Sequence, residues 1–440
     1  MFIFGDSLHI VIETLKSLTS NERRVFLIHL GYSLLDGLVL GVLALNEFVL
    51  IKSLKGSDYQ IGILFQLTVI LMLFSVLFNE WIRRIRNKQK LMRLLGLVTR
   101  LPLLALVFFP DSLEGVLNQP IYGYVFLIIF LLFYLSNPVV FPLISQMLKT
   151  HYRHEFFGRL YSYAASLNKI VMLFATFAFG WLLDLDPFSF RYVYPVIAIL
   201  GISSLYLLSA IPYHESAALI PRDGLLNSIT DSLKRLVGIL SRNKPYLDLQ
   251  VSFMFYGFAW MSTIAVITIF LENQLKLNYS SVAFYKNAYN LVAILILPFF
   301  GRIIGQTDPR RFAMLTFASL MFFLLFLTLS EYFPSSFSLG HIQVYHMLIP
   351  AYIAHALFAA TMSLLWYIGP AYFGKPSEAG DYQSIHQTLT GFRGLFAPLL
   401  GVVLYQWLGY TLSFSLGILS LLIAIVLMNI SLKRRPLHTE

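Results

Sequence analysis

Long apolar runs separated by short polar segments make up most of this chain. Each run can cross the roughly 30 Å hydrocarbon core of a bilayer, because a helix rises about 1.5 Å per residue. Glycine and proline are scattered through the runs without apolar–polar alternation, so the pattern predicts helices and not barrel strands. The twelve predicted spans, numbered 1 to 12 in chain order, are 25–51, 60–79, 91–109, 121–148, 159–184, 190–211, 246–272, 279–300, 310–331, 341–372, 382–408 and 411–432. The sequence therefore predicts an all-α polytopic membrane protein.

The composition agrees with this fold class and narrows the function. Hydrophobic residues make up 58% of the chain, charged residues 12%, and the mean hydropathy is +0.72. A soluble protein carries about twice that charged fraction. The net charge of +10 lies in short loops with no long basic face, so we expect no nucleic-acid partner. The chain has no cysteine, which excludes disulfides, thiolate chemistry and cysteine metal sites.

The distribution of Lys and Arg predicts the orientation. Of these 32 residues, 24 lie in or beside the loops on one side, which also holds both termini and the central linker. The opposite side has only Lys52, Lys55, Arg191 and Lys276. The positive-inside rule therefore places both termini in the cytoplasm. We expect a multi-pass protein of the plasma membrane, which is the inner membrane in a bacterium.

Two hydrophilic segments interrupt or precede the spans. The N-terminal one lacks the features of a secretory signal and carries a helical apolar stripe, which predicts a helix on the membrane surface. The stripe consists of Leu8, Val11, Ile12, Leu15 and Leu18. The predicted organisation is a cytoplasmic amphipathic segment 1–24, a six-helix bundle 25–211, a cytoplasmic linker with an amphipathic helix 212–245, a second six-helix bundle 246–432 and a cytoplasmic tail 433–440.

The two predicted bundles share an internal repeat. The first set of matches, at an offset of 222 positions, pairs Gly158, Ser162, Leu167, Leu173, Phe174 and Ala175 with Gly380, Ser384, Leu389, Leu395, Phe396 and Ala397. Lys90 matches Arg311 at an offset of 221, and Asp36 matches Tyr256 at 220. Three nearly equal offsets that preserve the order of the spans indicate two related, pseudo-symmetric six-helix units.

This architecture resembles the major facilitator superfamily of secondary transporters, from about residue 25 to the end of the last span. The basic loops after spans 2 and 8 correspond to the family's loop motif of glycine, an acid–arginine pair and basic residues. The second loop keeps Gly301, Arg310 and Arg311 but has Gly305 in place of the acid. The first loop has Glu80 for the leading glycine and Arg84 for the acid.

The resemblance implies a cavity between the bundles, lined mainly by spans 1, 4, 7 and 10, with contributions from spans 2, 5, 8 and 11. It also implies alternating access, in which one bundle rocks against the other. The expected partners are a small-molecule substrate, the lipid bilayer and a coupling proton or cation. We expect a monomer that needs no cofactor and no metal.

Cations inside the predicted spans are the first candidates for substrate contact, because charge is costly in lipid. Arg393 lies on span 11 in a polar stripe whose other members are Gln383, His386 and Thr390. Span 5 carries Lys169, and span 8 carries Lys286 near Asn290. If these cations face a shared cavity, its field favours an anionic solute. The alternative is that these cations snorkel or make packing contacts. This alternative is strongest for Arg100 of span 3.

Two acids are candidates for coupling or gating. Asp36 lies near the middle of span 1, where it serves either as a proton or cation site or as a structural ion pair with Arg100 or Lys169. Glu47 lies near the outer end of the same span, close to Lys52, and we interpret it as a gate or a surface pair. His355 and His386 titrate near neutral pH in water and are candidates for proton transfer or for neutral hydrogen bonding.

Aromatic residues form a stripe on span 7 and another on span 10. These stripes are equally consistent with a wall of the cavity and with packing between helices. The candidates for contact with the apolar part of a solute are Tyr256, Trp260 and Trp366. His151, His154 and Glu155 lie in a cytoplasmic loop without further ligands, so no metal site is expected there. The chain also lacks a P-loop, a metalloprotease motif and a GxSxG elbow.

The sequence thus favours a secondary transporter that moves a small organic, anionic solute by alternating access, coupled to protons. Arg393, Lys169 and Lys286 are the predicted contacts for its charge. The alternative is an exporter of lipophilic compounds or lipids, in which the intramembrane cations are structural. A membrane-embedded enzyme and a non-transporting receptor are the remaining hypotheses, and we expect neither.

Overall fold

The computed structural model describes residues 17–73, 78, 85, 87–119, 121–152, 154–212, 234, 237–304, 307–374 and 379–434. The predicted N-terminal surface helix, the centre of the linker and the last residues of the tail lie outside these ranges. The loop positions Glu80, Arg84 and Gly305 lie outside them as well.

The described first half is helical. Its elements are Ser20–Leu43, Asn46–Phe48, a π-helical turn Val49–Ser53, Asp58–Leu73, Lys88–Arg100, a 3-10 segment Leu101–Phe108, Leu113–Leu117, Ile121–Tyr134, Asn137–His151, His154–Leu185 and Phe190–Leu208. Apolar residues fill all sides of most of these helices, as expected for helices embedded in lipid.

The described second half repeats this order and adds one hairpin. Its helical elements are Lys244–Ile269, a π-helical turn Phe270–Gln274, Tyr279–Ile304, Pro309–Tyr332, Leu348–Ile368, a 3-10 segment Gly369–Phe373, Ala379–Gly394 and Ala397–Arg434. Two antiparallel strands, β1 (Ser336–Leu339) and β2 (Ile342–Tyr345), connect spans 9 and 10.

The helices confirm the predicted fold class. Ten described segments are long and apolar enough to cross a membrane, and Asp58–Leu71 is a shorter apolar helix. The last of the ten, Ile385–Arg434, contains two predicted spans, because Gly409 has a φ of 76° and turns the chain there. Only glycine adopts this conformation without strain, so the turn between spans 11 and 12 depends on it. With that last segment counted as two helices and the shorter helix included, the described segments are consistent with the twelve predicted spans.

The repeat is also visible in the backbone. Spans 1 and 7 both end in a five-residue π-helical turn, Val49–Ser53 and Phe270–Gln274. Each turn is followed by a lysine with positive φ, Lys55 at 49° and Lys276 at 51°. The two lysines are 221 residues apart, which is one of the offsets found in the sequence. The fold therefore consists of two pseudo-symmetric six-helix bundles.

Close packing within each half holds span 1 against span 5 and span 7 against span 11. A side chain at Gly41 would meet the backbone of Met172 on span 5. A side chain at Gly401 would overlap the backbone of Ser262 on span 7. Glycine at these crossings lets the helix backbones approach, as is common in membrane bundles.

The two halves meet on the side that carries the β-hairpin, which we call the hairpin side; the opposite side is the linker side. On one flank, span 2 packs on span 11, where side chains at Gly391 and Gly394 would contact Leu73 and Val69. Gln66 of span 2 also donates a hydrogen bond to the Leu395 carbonyl, which the helix break between Gly394 and Ala397 leaves free. On the other flank, span 5 packs on span 8.

The hairpin is fixed to the second half alone among the described residues. The Tyr345 amide donates to the Tyr285 hydroxyl at 2.9 Å, and the Gln343 amide donates to Ser281 Oγ at 2.8 Å. Asn278 Nδ2 donates to the His341 carbonyl at 2.7 Å. These bonds brace the turn between spans 7 and 8, which contributes to the contact between the halves.

Candidate functional site: the cavity between the halves

A cavity of about 260 Å³ lies between the two halves. Spans 1 and 5 of the first half and span 8 of the second half form its wall. The lining residues are Ala44, Glu47, Met172, Thr176, Lys286, Asn287, Tyr289 and Asn290. Three of them, Glu47, Lys286 and Asn290, are site residues predicted from the sequence, and they come from both bundles. This cavity is the candidate site.

Lys286 connects the halves at this cavity. Its ammonium group contacts Glu47 Oε1 as an ion pair and donates to the Ala44 carbonyl at 2.5 Å. The side chains of Lys286 and Glu47 are 26% and 11% exposed, so water screens their attraction less than at an open surface. The sequence suggested Lys52 as a neighbour of Glu47, whereas the structure pairs Glu47 with span 8.

A helix break in span 1 explains why a carbonyl is available to Lys286. The helix Ser20–Leu43 ends one residue before Ala44, and a new helix begins at Asn46. The amides of Phe48 and Val49 both donate to the Leu45 carbonyl, at 3.0 Å. The Ala44 carbonyl therefore receives no hydrogen bond from the Phe48 amide. Carbonyls at the end of a helix need such partners from outside the helix. Lys286 supplies that partner from the other half.

A second charged contact between the halves lies closer to the hairpin side than the pair of Lys286 and Glu47. Lys52 Nζ lies 3.1 Å from Glu272 Oε2 and donates to the Leu277 carbonyl at 2.5 Å. Ser53 Oγ lies 2.6 Å from the Tyr279 hydroxyl. Each of these contacts joins the end of span 1 to the turn between spans 7 and 8. The hairpin side therefore cannot open without separating them.

The flank between spans 5 and 8 is closed by an acid at a helix N-terminus. Asp184 accepts hydrogen bonds from the amides of Tyr279 and Ser280, each at 2.8 Å. A carboxylate is stabilised there by the free amides and by the helix dipole. One level deeper, Asn287 Nδ2 donates to the Leu173 carbonyl at 2.8 Å. These bonds are polar and exchangeable with water, which suits an interface that opens and closes.

Arg393 lies away from this cavity, inside the second half. Its Nη1 donates to the Phe253 carbonyl at 2.5 Å, and its guanidinium lies 5.7 Å from the centre of the Tyr256 ring. A side chain at Gly257 would overlap the guanidinium, and Arg393 is 2% exposed. Its described contacts therefore join span 11 to span 7. The structure does not bring Arg393 together with Lys286.

The remaining members of the span 11 stripe follow Arg393. His386 is buried, with Nδ1 3.2 Å from Gln250 Oε1 and the Trp366 ring centroid 4.4 Å away. The Thr390 hydroxyl donates to the His386 carbonyl of its own helix at 2.9 Å. The backbone of Gln383 is helical, and its side chain lies outside the described part of the structure. This stripe packs on span 7, with no described contact to the first half.

His355 and two predicted aromatic contacts pack inside the second half. The rings of Tyr289, Phe323 and Trp260 lie 4.3, 4.4 and 5.6 Å from the His355 ring. Tyr256 stacks on Phe317, with the two ring centroids 5.1 Å apart. Tyr289 is the one ring of this group that also lines the cavity, so the aromatic packing reaches the site through that side chain.

Asp36 is placed within the first half. Asn168 Nδ2 donates to its Oδ2 at 3.2 Å and to the Ser33 carbonyl at 3.0 Å. The Arg100 guanidinium interacts with it electrostatically and also donates to Ser136 Oγ at 2.5 Å. These contacts lie within the first half, and the role of Asp36 as a coupling site or as a structural pair stays a prediction.

Lys169 differs from the other intramembrane cations because it is exposed. It lies three residues before Met172, hence one helical turn from the cavity wall on the same face of span 5. In the described part of the chain, no ion pair involves Lys169. Lys169 therefore contributes positive charge about one helical turn from the cavity wall.

Sequence reasoning missed several residues of the contact between the halves: Asp184, Glu272, Tyr279 and Thr176. The repeat contains a signal for one of them. Lys52 and Asn273 are equivalent at the offset of 221, and equivalent positions at the ends of spans 1 and 7 lie opposite each other across the pseudo-twofold axis. Glu272, the residue before Asn273, is the one that pairs with Lys52 there. For the others, a single sequence does not say which polar residue meets which across the interface.

No group of three or more His, Asp or Glu side chains that could hold a metal occurs in the ranges that the structure describes. His151 Nδ1 lies 2.9 Å from the Met147 carbonyl of its own helix.

The comparisons agree with this architecture. Residues 25–372 match the Major Facilitator Superfamily. A comparison with curated proteins gives no match. Solved structures of the same fold include the nucleoside transporter NupG, with a TM-score of 0.64 and 12% identity over 94% of this chain and 99% of that one.

Two further structures have the same fold. The peptide transporter POT in complex with sulfate has a TM-score of 0.63 and 13% identity, covering 94% of both chains. The human organic anion transporter MFSD10 has a TM-score of 0.59 and 14% identity, covering 93% of this chain and all of that one. At such identities the likeness shows the fold alone. The matched length and the fold together establish that this chain, a multi-pass membrane transporter, belongs to the Major Facilitator Superfamily.

Proposed function

We propose that the chain carries a small organic solute with an anionic group by alternating access. The anionic group of the solute takes the place of Glu47 as the partner of Lys286. The observation that carries the proposal is the ion pair itself, which lines the cavity and joins the two halves. A pair in this position is made in one conformation of the carrier and broken in the other. Its two charges are then available to a solute and to a proton.

The chemistry of the pair supports an anionic group. A carboxylate or phosphate of the solute would replace Glu47 as the partner of Lys286, since it offers the same oxygen acceptors. Glu47 would then lose its cation inside a site of low dielectric, and binding a proton removes the cost of its unpaired charge. Uptake of the anion and of a proton are coupled in this scheme, and net charge in the cavity is conserved.

The surrounding groups fit a small polar solute. Asn287 and Asn290 supply amide groups, Thr176 a hydroxyl and Tyr289 an aromatic face. Lys169, exposed one turn from the cavity wall, adds positive potential that attracts an anion from the linker side. A cavity of about 260 Å³ suits a metabolite better than a large amphiphile.

A melting-shift screen of the purified protein with carboxylates, phosphates, sugars, nucleosides, peptides and amphiphiles tests the solute class. We expect an anionic compound to raise the melting temperature of the parent and of Lys276→Gln, an exposed control lysine. The same compound is expected to give no shift with Lys286→Gln. Counterflow of that compound in liposomes, followed with a pH-sensitive dye, then measures proton coupling. A compound that shifts all three proteins equally contradicts the role of Lys286.

A second candidate is a carrier of lipophilic compounds, in which buried cations are structural. The observation in its favour is that Arg100 and Arg393 each contact only their own half among the described residues. This function predicts a melting shift with uncharged amphiphiles that survives Lys286→Gln. The screen above therefore separates the two candidates.

A further inference from the structure

A second cavity, of about 190 Å³, lies on the outer surface of the second half, apart from the site between the halves. Span 7 forms one wall near its beginning, and span 12 forms the other near its end. The lining residues are Leu247, Asp248, Val251, Leu427, Ile430, Ser431 and Arg434. Because span 7 begins at Lys244 and span 12 ends at Arg434, the groove opens at the linker side of the membrane.

The groove has an apolar part and a charged end. Val251 and Ile430 are each 41% exposed, and with Leu427 they line the part that lies deeper along the spans. Arg434 stands at the end nearest the linker side. This order, apolar inside the membrane and cationic at its surface, matches a lipid with its chain along the groove and its head group at the rim.

The back of the groove is rigid. Arg310, which is fully buried, donates to the Ser431 carbonyl at 3.1 Å and to Ser431 Oγ at 3.0 Å. It also forms a 2.8 Å ion pair with Asp308. Ser431 Oγ in turn donates to Asp248 Oδ2 at 2.8 Å. These bonds tie spans 7, 9 and 12 together, so the groove does not close when it is empty.

The charges at the rim select the head group. Lys244, Lys433 and Arg434 are exposed around this end, and Asp248 is the acid among the lining residues. The side chain of Asp248 is engaged by Ser431, and the adjacent Arg310 is paired with Asp308. The three exposed cations outnumber Asp248, so the net charge around the rim is positive. Basic pockets between spans on the cytoplasmic side favour anionic head groups.

We propose that this groove between spans 7 and 12 binds an anionic phospholipid, with one acyl chain against Val251 and Leu427 and the phosphate at Arg434. The groove shares no lining residue with the cavity between the halves, so we do not expect this lipid to be the transported solute. It would occupy the position where three spans of the second half are joined, and stabilise that half as a unit.

Native mass spectrometry of the detergent-purified full chain, titrated with phosphatidylglycerol or phosphatidylcholine, tests the proposal. We expect one preferred phosphatidylglycerol and about fivefold weaker binding in Arg434→Gln, since one basic residue near an anionic head group contributes about 1 kcal/mol. Lys433→Gln is the matched control, because it removes an adjacent charge that does not line the groove. It is expected to change the affinity by less than half as much.

Val251→Phe tests the position of the acyl chain, because the larger ring fills the apolar part of the groove. We expect this variant to lose the preferred phosphatidylglycerol while its melting temperature without lipid stays near that of the parent. Equal weakening by Arg434→Gln and Lys433→Gln would show general surface attraction and overturn the proposal. Unchanged binding in Val251→Phe, or a dimer of the chain in place of the lipid adduct, would also overturn it.

Discussion

Two kinds of cation occur within the spans or at their ends, and they differ in what they connect. Arg393 and Arg100 are buried and contact carbonyls, hydroxyls and rings of their own half. Lys286 and Lys52 are partly exposed and contact acids and carbonyls of the other half. Deep burial therefore accompanies cohesion within a bundle, and partial exposure accompanies contacts that must break during transport.

Depth along a span therefore does not indicate which half a buried cation contacts. Arg393 has the strongest sequence signal, because it lies in a polar stripe with no acid nearby. The structure instead satisfies it with the Phe253 carbonyl and the Tyr256 ring. A buried carbonyl and an aromatic face stabilise a cation without exposing it to the cavity. In the proposed mechanism, the charges that act in transport are those at the contact between the halves.

The largest expected effect is that of Lys286→Gln on transport. The change leaves Glu47 without its cation at the contact between the halves, and breaking such a pair costs about 3 kcal/mol, or about a hundredfold. We expect counterflow of the solute identified by melting shift to fall by about that factor. The amount of folded protein, measured by size-exclusion chromatography, should match that of Lys276→Gln. Normal transport by Lys286→Gln would remove the pair from the mechanism.

Arg393→Met is expected to have the opposite profile. The variant loses the bond to the Phe253 carbonyl and the contact with the Tyr256 ring, which lowers the free energy of unfolding by about 2 kcal/mol. Thermal melting should detect the loss, while transport per folded molecule stays within about twofold of the parent. Gly257→Ala should destabilise in the same way, since its methyl group overlaps the guanidinium. A stable Arg393→Met protein that does not transport would instead favour direct contact with the solute.

The contact between Lys52 and Glu272 should have a smaller effect, because neither residue lines the cavity between the halves. Removing either charge is expected to weaken closure of the hairpin side by about 1 kcal/mol. Exchanging the two charges, with Lys52→Glu and Glu272→Lys in one protein, should restore most of the lost transport. If the exchanged protein transports less than both single variants, the two residues do not act as a pair.

Asp184→Asn should have the smallest effect of the four. The amide oxygen can still accept one hydrogen bond from the start of span 8, and the loss of charge costs about 0.5 kcal/mol at a helix N-terminus. The repeat offers a natural comparison, because Gln406 occupies the equivalent position 222 residues later and bonds to Asp58 at the start of span 2. Transport about twofold from the parent is expected, and complete loss would show that Asp184 has a further role.

Much of the fold follows from the sequence, because lipid imposes a length and a composition on every span. The described helices are consistent with twelve spans, and the repeat is found in them as the matched turns at Lys55 and Lys276. The hairpin between spans 9 and 10 was not predicted, since residues 341–345 were included in the apolar run of span 10. The apolar residues Ile342, Val344 and Tyr345 of β2 fit the start of a membrane helix as well as a strand, so their pattern does not distinguish the two.

The site is less predictable, for a physical reason. Glu47, Lys286 and Asn290 could be selected as polar residues within spans, because lipid makes such residues costly. Their partners depend on which faces meet across the two halves, and that relation is set by packing at glycines such as Gly391 and Gly394. The helix break that exposes the Ala44 carbonyl has no proline or glycine at its position. A single sequence therefore identifies candidates but not their pairs.

The most direct test of the account uses the absence of cysteine in the chain. A single cysteine at Met172, on the wall of the cavity, reports whether the hairpin side is open to a membrane-impermeant thiol reagent added from that side. We predict slow labelling in the parent background and about tenfold faster labelling when Lys286→Gln is added. The faster rate is expected because the hairpin side opens more easily once the contact with Glu47 is lost. Equal labelling rates in the two backgrounds would contradict it.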